Sequence, residues 1–142
     1  MSYSVQRIAQ YILTCCNEKG KPINNFKLQT MFYHLWVDYY KKTKLELFLE
    51  MFSAWKIGPI VPESYRLFCH YGALPIDRKF HESINASDKD IINSLIEKYL
   101  PKSGRELYLL STYPGSPWAI IYQEGKGIHH PIPFYLIKEI EK

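Results

Sequence analysis

The sequence predicts a mainly α-helical, single-domain protein of about six or seven helices, with a small extended or β element near residues 47–57. Three observations carry this expectation. Apolar residues recur at helical spacing along several segments, as they do on helices with one buried face. Capping residues precede those segments, and Gly or Pro follows them. Only residues 47–57 are rich in bulky, β-prone side chains without a helical stripe. A parallel-sheet architecture is not expected, because strands do not alternate with the helices. At 142 residues the chain supports one core, so residues 1–142 are read as a single domain.

The first helix carries Val5, Ile8, Ala9, Ile12, Leu13 and Cys16 on one stripe and is stopped by Gly20 and Pro22. Asn24 and Asn25 are good N-caps for a second helix, with Leu28, Met31, Phe32, Leu35, Trp36 and Tyr39 on its inner side. Phe48, Met51, Phe52, Trp55 and Ile57 form the extended element, and Gly58-Pro59 breaks the chain directly after it. Pro62 suits the first turn of a third helix, expected to bury Tyr65, Leu67 and Phe68 and to end at Gly72. Residues 73–86 read as an irregular connection.

Ser87 is the expected N-cap of a fourth helix. Asp88 and Asp90 lie at its positive end, Ile91, Ile92, Leu95, Ile96 and Tyr99 form its stripe, and Pro101 stops it. Ser103 with Glu106 three residues on is a capping box for a fifth. Ser116-Pro117 opens a short sixth helix carrying Trp118, Ile121 and Tyr122. Residues 133–142 make a terminal one around Phe134, Ile137 and Ile140.

The net charge of +4 is unevenly placed. Residues 1–71 hold nine Lys/Arg against five Asp/Glu, and residues 72–142 hold nine against nine. The densest run, Lys41, Lys42 and Lys44, reads as a solvated helix end whose cations complement the macrodipole. The other reading is contact with phosphates or with an acidic protein. Aromatic residues reach 15%, which supplies either a bulky core or a sticky surface. Three cysteines, two of them adjacent, do not make a disulfide framework, so a reducing compartment is expected. The chain has neither the apolar core of a signal peptide nor eighteen consecutive apolar residues, and a cytoplasmic protein off the membrane is the expectation.

Signatures of chemistry are sparse. There is no Gly-rich phosphate loop, CxxC pair, HExxH or nucleophile elbow. His129-His130 have no Cys or carboxylate at ligand spacing, so no metal site is expected, and Cys69-His70 would diverge on a helix. No catalytic residue and no cofactor are assigned, and the protein is not expected to be an enzyme. A hydrolase using Lys27, Tyr33 or a histidine ranks last, because no nucleophile–base pair is visible. The more telling cluster mixes polar and aromatic groups: Lys27, Gln29 and Tyr33 on the second helix, then Trp55 and Lys56 before Gly58-Pro59. Such residues are common anchors of protein interfaces. Read the other way, Trp55 and Tyr33 are core and lock the turn onto the helix.

Four stretches, taken together, resemble the Panacea (SocA-like) antitoxin family. Ile8-Ala9-Gln10-Tyr11-Ile12-Leu13 is similar to that family's opening VANYIL helix. Asn25-Phe26-Lys27-Leu28-Gln29-Thr30-Met31-Phe32-Tyr33 resembles its NLKLQKLLYY. Ala54 to Pro62, continuing through Tyr65, Phe68 and Tyr71-Gly72, resembles EAWKYGPVVPxVYxxFKxYG and is the most specific of the four. Leu110 to Trp118 is similar to LTHxxxPW. Tyr113 stands where the family usually has His, and Ile57 where it often has Tyr. The resemblance implies a mainly helical domain. It also implies an antitoxin that silences a cognate protein toxin by direct binding, often carried on phage-related elements, with no cofactor. One branch implies instead a proteolytic adaptor that delivers its toxin to an ATP-dependent protease. A nucleic-acid-binding regulator is the third reading; +4 is small for that purpose and no helix-turn-helix or zinc finger is recognisable. Lys27, Gln29, Tyr33, Trp55 and Lys56 are the residues expected to meet the partner.

Overall fold

A computed structural model describes residues 2–142. Helix α1 (Val5–Glu18) starts at Ser4, whose Oγ accepts the Arg7 N–H at 3.1 Å, and it buries the stripe expected of it. Helix α2 (Asn25–Thr43) starts at Asn24, whose Oδ1 accepts the Lys27 N–H at 2.8 Å; Asn25 is already the first helical residue. Its inner positions are buried as expected, but so are Asn25, Gln29, Thr30, Tyr33, His34 and Val37. A helix buried nearly all round is one that others pack about. Here α1 touches it, as do α3 (Pro62–Phe68), α4 (Ala86–Tyr99), α5 (Gly104–Ser111) and a strand of the sheet. Its polar groups are satisfied locally: Trp36 Nε1 donates to the Phe48 carbonyl at 3.1 Å, and Thr30 Oγ1 donates to the Lys27 carbonyl at 2.9 Å.

The extended element is a hairpin. Strand β1 (Phe52–Trp55) pairs antiparallel with β2 (Gly58–Ile60) across the two-residue turn Lys56-Ile57. Gly58 has φ +110°, which side-chain-bearing residues rarely adopt, and it sits in contact range of Tyr108 of α5. The other edge of β1 takes β3 (Pro131–Ile132), giving the order β2-β1-β3. The central strand β1 therefore falls within the expected 47–57 window, β2 follows directly after it, and the sheet also recruits a strand from the far end of the chain. Leu47 and Phe48 instead enter the core, where the Leu47 carbonyl accepts the Tyr3 N–H at 3.0 Å.

Helix α3 is followed by one 3₁₀ turn, Cys69–Tyr71, and ends at Gly72 as expected. Only part of its expected core face is buried. Ser64 and Phe68, four residues apart, point inward. Leu67 is 44% exposed and Tyr65 half-buried, because a seven-residue helix turns one narrow face to the core. Residues 73–85 are irregular, pinned by Asn17 Nδ2, which donates to the carbonyls of Ile76 and Arg78 at 3.0 and 2.9 Å.

Helix α4 begins two residues earlier than expected. Asn85, not Ser87, is its N-cap, because the Asn85 N–H is held by the Tyr3 hydroxyl at 3.1 Å. Ile91 is only half-buried, while the rest of the stripe is inside. Ser103 and Glu106 form the expected capping box on α5. Helix α6 (Pro117–Tyr122) is capped by Ser116, and α7 (Phe134–Ile140) closes the chain. Among the described residues this makes seven α-helices around one core.

Tyrosines tie the helices together through carboxylates. Asp88 accepts from both Tyr3 and Tyr39, Asp38 from Tyr99 and from Lys98 Nζ, and Glu141 from Tyr33 at 2.7 Å and Tyr113 at 2.6 Å. Burial, and then the bond to the neighbouring carboxylate, push Tyr39 and Tyr99 each up to about 12, so these phenols stay protonated donors.

Candidate partner-binding groove

The five residues expected to meet a partner do not share one surface. Gln29 is fully buried. Its Oε1 accepts the Val61 N–H at 3.1 Å, and its Nε2 lies 3.3 Å from both Asn25 Oδ1 and Ser64 Oγ. It fastens α3 and the end of the hairpin to α2, which leaves it no atom for a partner. Tyr33 is also buried, with Phe52 5.4 Å from its ring and Glu141 on its hydroxyl. Burial first, and then Glu141, push its pKa far above the ordinary tyrosine value. A contact role for these two is therefore corrected to a supporting one: the apolar requirement of an all-round buried helix turned both side chains inward.

Trp55 is half-buried. Its ring sits 5.1 Å from those of Tyr65 and His129, and its carbonyl accepts Trp118 Nε1 at 2.7 Å. It joins the hairpin to α3 and α6 while keeping part of its face open. Lys56, in the hairpin turn, is exposed. Lys27 is half-buried, its Nζ donating to the Leu100 carbonyl at the end of α4. Burial is the main cause of the downward shift in its pKa.

Lys27 and Lys56 nevertheless belong to one feature. Lys27 lines a hollow of about 510 Å³ with Lys21, Pro75 and Pro101. Lys56 lines a second, of about 370 Å³, with Ile57 and Tyr108. Phe26 and Arg105 border both hollows, so the two adjoin as one groove. Phe26, shared by both, is set by a close approach to α5. A Cβ on Gly104 would lie 2.8 Å from the Phe26 ring, so only glycine lets the ring lie against the start of α5. On its other side Phe26 meets Tyr108, with ring centres 6.5 Å apart.

The electrostatics of this groove are one-sided. Lys21, Lys27, Lys56 and Arg105 line it, and no Asp or Glu does. Among the described residues none of the four forms an ion pair. Glu106 lies near Lys27, but its Oε1 is turned back to accept the Ser103 N–H at 3.2 Å. Part of the positive excess of residues 1–71 is thus in the groove, from Lys21, Lys27 and Lys56. In the densest lysine run, Lys44 ends α2 in a left-handed turn and stacks its ammonium over Tyr40 at 5.4 Å.

The sequence reading missed Phe26, Arg105 and Tyr108. Phe26 falls within the second recognisable stretch, which was the one local signal. Arg105 and Tyr108 come from a helix almost eighty residues away, and no local pattern links them to it.

The family model of the antitoxin SocA-like Panacea domain matches residues 28–119. The chain belongs to this family. The matched segment runs from the first turn of α2 into α6 and includes Gln29, Tyr33, Trp55, Lys56, Arg105 and Tyr108. Helix α1, β3 and α7 lie outside it. No curated protein and no solved structure matches the chain significantly. Among the described residues no helix is long and apolar enough to cross a membrane.

Proposed function

We propose that this Panacea-family chain is an antitoxin that silences a cognate protein toxin by direct contact. Membership of the SocA-like antitoxin family is the observation that carries the reading. The site chemistry supports a binding role over an enzymatic one. The groups a hydrolase would need are engaged in holding the fold: Tyr33 by Glu141, Lys27 by the Leu100 carbonyl, and His34 Nε2 by the Leu107 carbonyl at 2.9 Å. The contact face is the one that carries Lys27 and Lys56, with the open part of Trp55 nearby on the same hairpin. Three unpaired thiols, including buried Cys16, whose pKa burial pushes up to about 11, suit the reducing cytoplasm.

The test is co-expression with the product of the neighbouring reading frame. Growth arrest by that product alone, relief by this chain, and co-purification of the two would bear the reading out. Relief that disappears in a host lacking its ATP-dependent proteases would replace contact with delivery. A neighbouring product that is harmless, or that arrests growth regardless, would refute the pairing.

A further inference from the structure

The groove has two chemical halves. One is walled by carbon, from Phe26, Ile57 and Tyr108; the other is rimmed by Lys21, Lys27 and Arg105. A groove of one sign with no internal counter-charge favours a ligand of the opposite sign, both in encounter and in register. An apolar hollow beside it asks for a side chain that leaves water on binding. We propose that the groove takes an acidic segment of a protein partner, whose leucine or aromatic side chain seats against Phe26, Ile57 and Tyr108 while flanking Asp and Glu side chains meet Lys21, Lys56 and Arg105.

The inference rests on the binding role proposed above and specifies its partner. It is favoured over a nucleic acid because the whole chain carries only +4. The geometry is built in. Gly104 lets Phe26 lie close against α5, and Gly58 sets the hairpin turn, with Lys56 and Ile57, near Tyr108. Arg105 stands where the two hollows meet and offers a planar fork suited to a carboxylate.

The probe is a random-peptide display library selected on the full chain, with a random RNA pool selected in parallel. The same selections run on a K56E/R105E variant, whose fold is checked by its melting temperature. The expected result is enrichment of net-acidic peptides carrying Leu, Ile, Phe or Trp. Their affinity should fall about tenfold or more on the charge-reversed variant and weaken with added salt. No enrichment, enrichment indifferent to charge, equal binding by the variant, or preferential RNA binding would each overturn the proposal. If the variant fails to fold, the salt dependence of wild-type binding and the G104A variant, which displaces Phe26, decide in its place. The outcome separates from that of the antitoxin reading. Acidic peptides docking in the groove while no toxin is neutralised would refute the antitoxin role and keep the groove. A toxin neutralised equally well by K56E/R105E would do the reverse.

Discussion

The carboxylates that link helices and the cations that line the groove are treated in opposite ways. Asp38, Asp88 and Glu141 each accept bonds from tyrosines on other elements, so their charge is used to hold α2, α4, α7 and the N-terminal segment together. Lys21, Lys56 and Arg105 have no carboxylate partner among the described residues, and their charge holds nothing in place. A charge engaged inside the fold can be removed only at a cost in stability. An unengaged charge can be removed freely, and what is lost is binding. Stability and affinity should therefore separate by region.

The largest effect sets the scale. Phe32→Ala, in the fully buried face of α2, should cost about 3–5 kcal/mol in urea unfolding, and Leu28→Ala or Leu95→Ala about 2–5 kcal/mol. A loss below about half a kcal/mol at any of them would show that the core is centred elsewhere.

Asp88→Ala comes next. It strips the acceptor from Tyr3 and Tyr39 at once, and about 2 kcal/mol should be lost, since bonds to a charged group are worth more than neutral ones. Toxin affinity, measured on the folded fraction, should not change. A binding defect without destabilisation would erase the contrast between the two regions.

Gln29→Ala should cost about 1–3 kcal/mol, because it leaves the buried Val61 N–H without an acceptor. A Gln29 that met the partner would instead give a stable variant with weakened binding, so this substitution distinguishes the two roles directly. A variant that melts normally and binds poorly would return Gln29 to the interface.

A pH titration gives a smaller effect. Burial holds the His34 pKa below its ordinary 6.5, against the upward pull of the Leu107 carbonyl, Asp38 and Glu141. The unfolded chain then takes up the proton first, so His34 contributes stability that is complete above pH 6.5 and is lost as pH falls through the depressed folded-state value. The melting temperature should drop less on acidification in His34→Gln, which keeps a donor for the Leu107 carbonyl. An unchanged slope would show that other groups carry the acid sensitivity.

The smallest effect on stability belongs to the groove. K56E/R105E should unfold within about 0.5 kcal/mol of the parent, as exposed, unpaired charges do. A substantial loss would mean that these cations also hold the fold.

Local chemistry was enough to determine where the helices lie, the start of α4 excepted, which a bond to the Tyr3 hydroxyl fixes at Asn85. The α1 stripe, the Asn24 cap, the Ser103–Glu106 box and the stops at Gly72 and Pro101 are all short-range signals, and a cap or a stripe reads the same wherever the helix ends up. Tertiary packing decided what each helix face meets. It made α2 central, so Gln29 and Tyr33 became internal fasteners although their residue types suit a surface equally well. It brought Pro131–Ile132 beside β1 across some eighty residues, and α5 beside the hairpin turn, so that Phe26, Lys56, Arg105 and Tyr108 came to line one groove. Those contacts depend on how whole elements bury their apolar faces together, and that quantity belongs to no single segment of the chain.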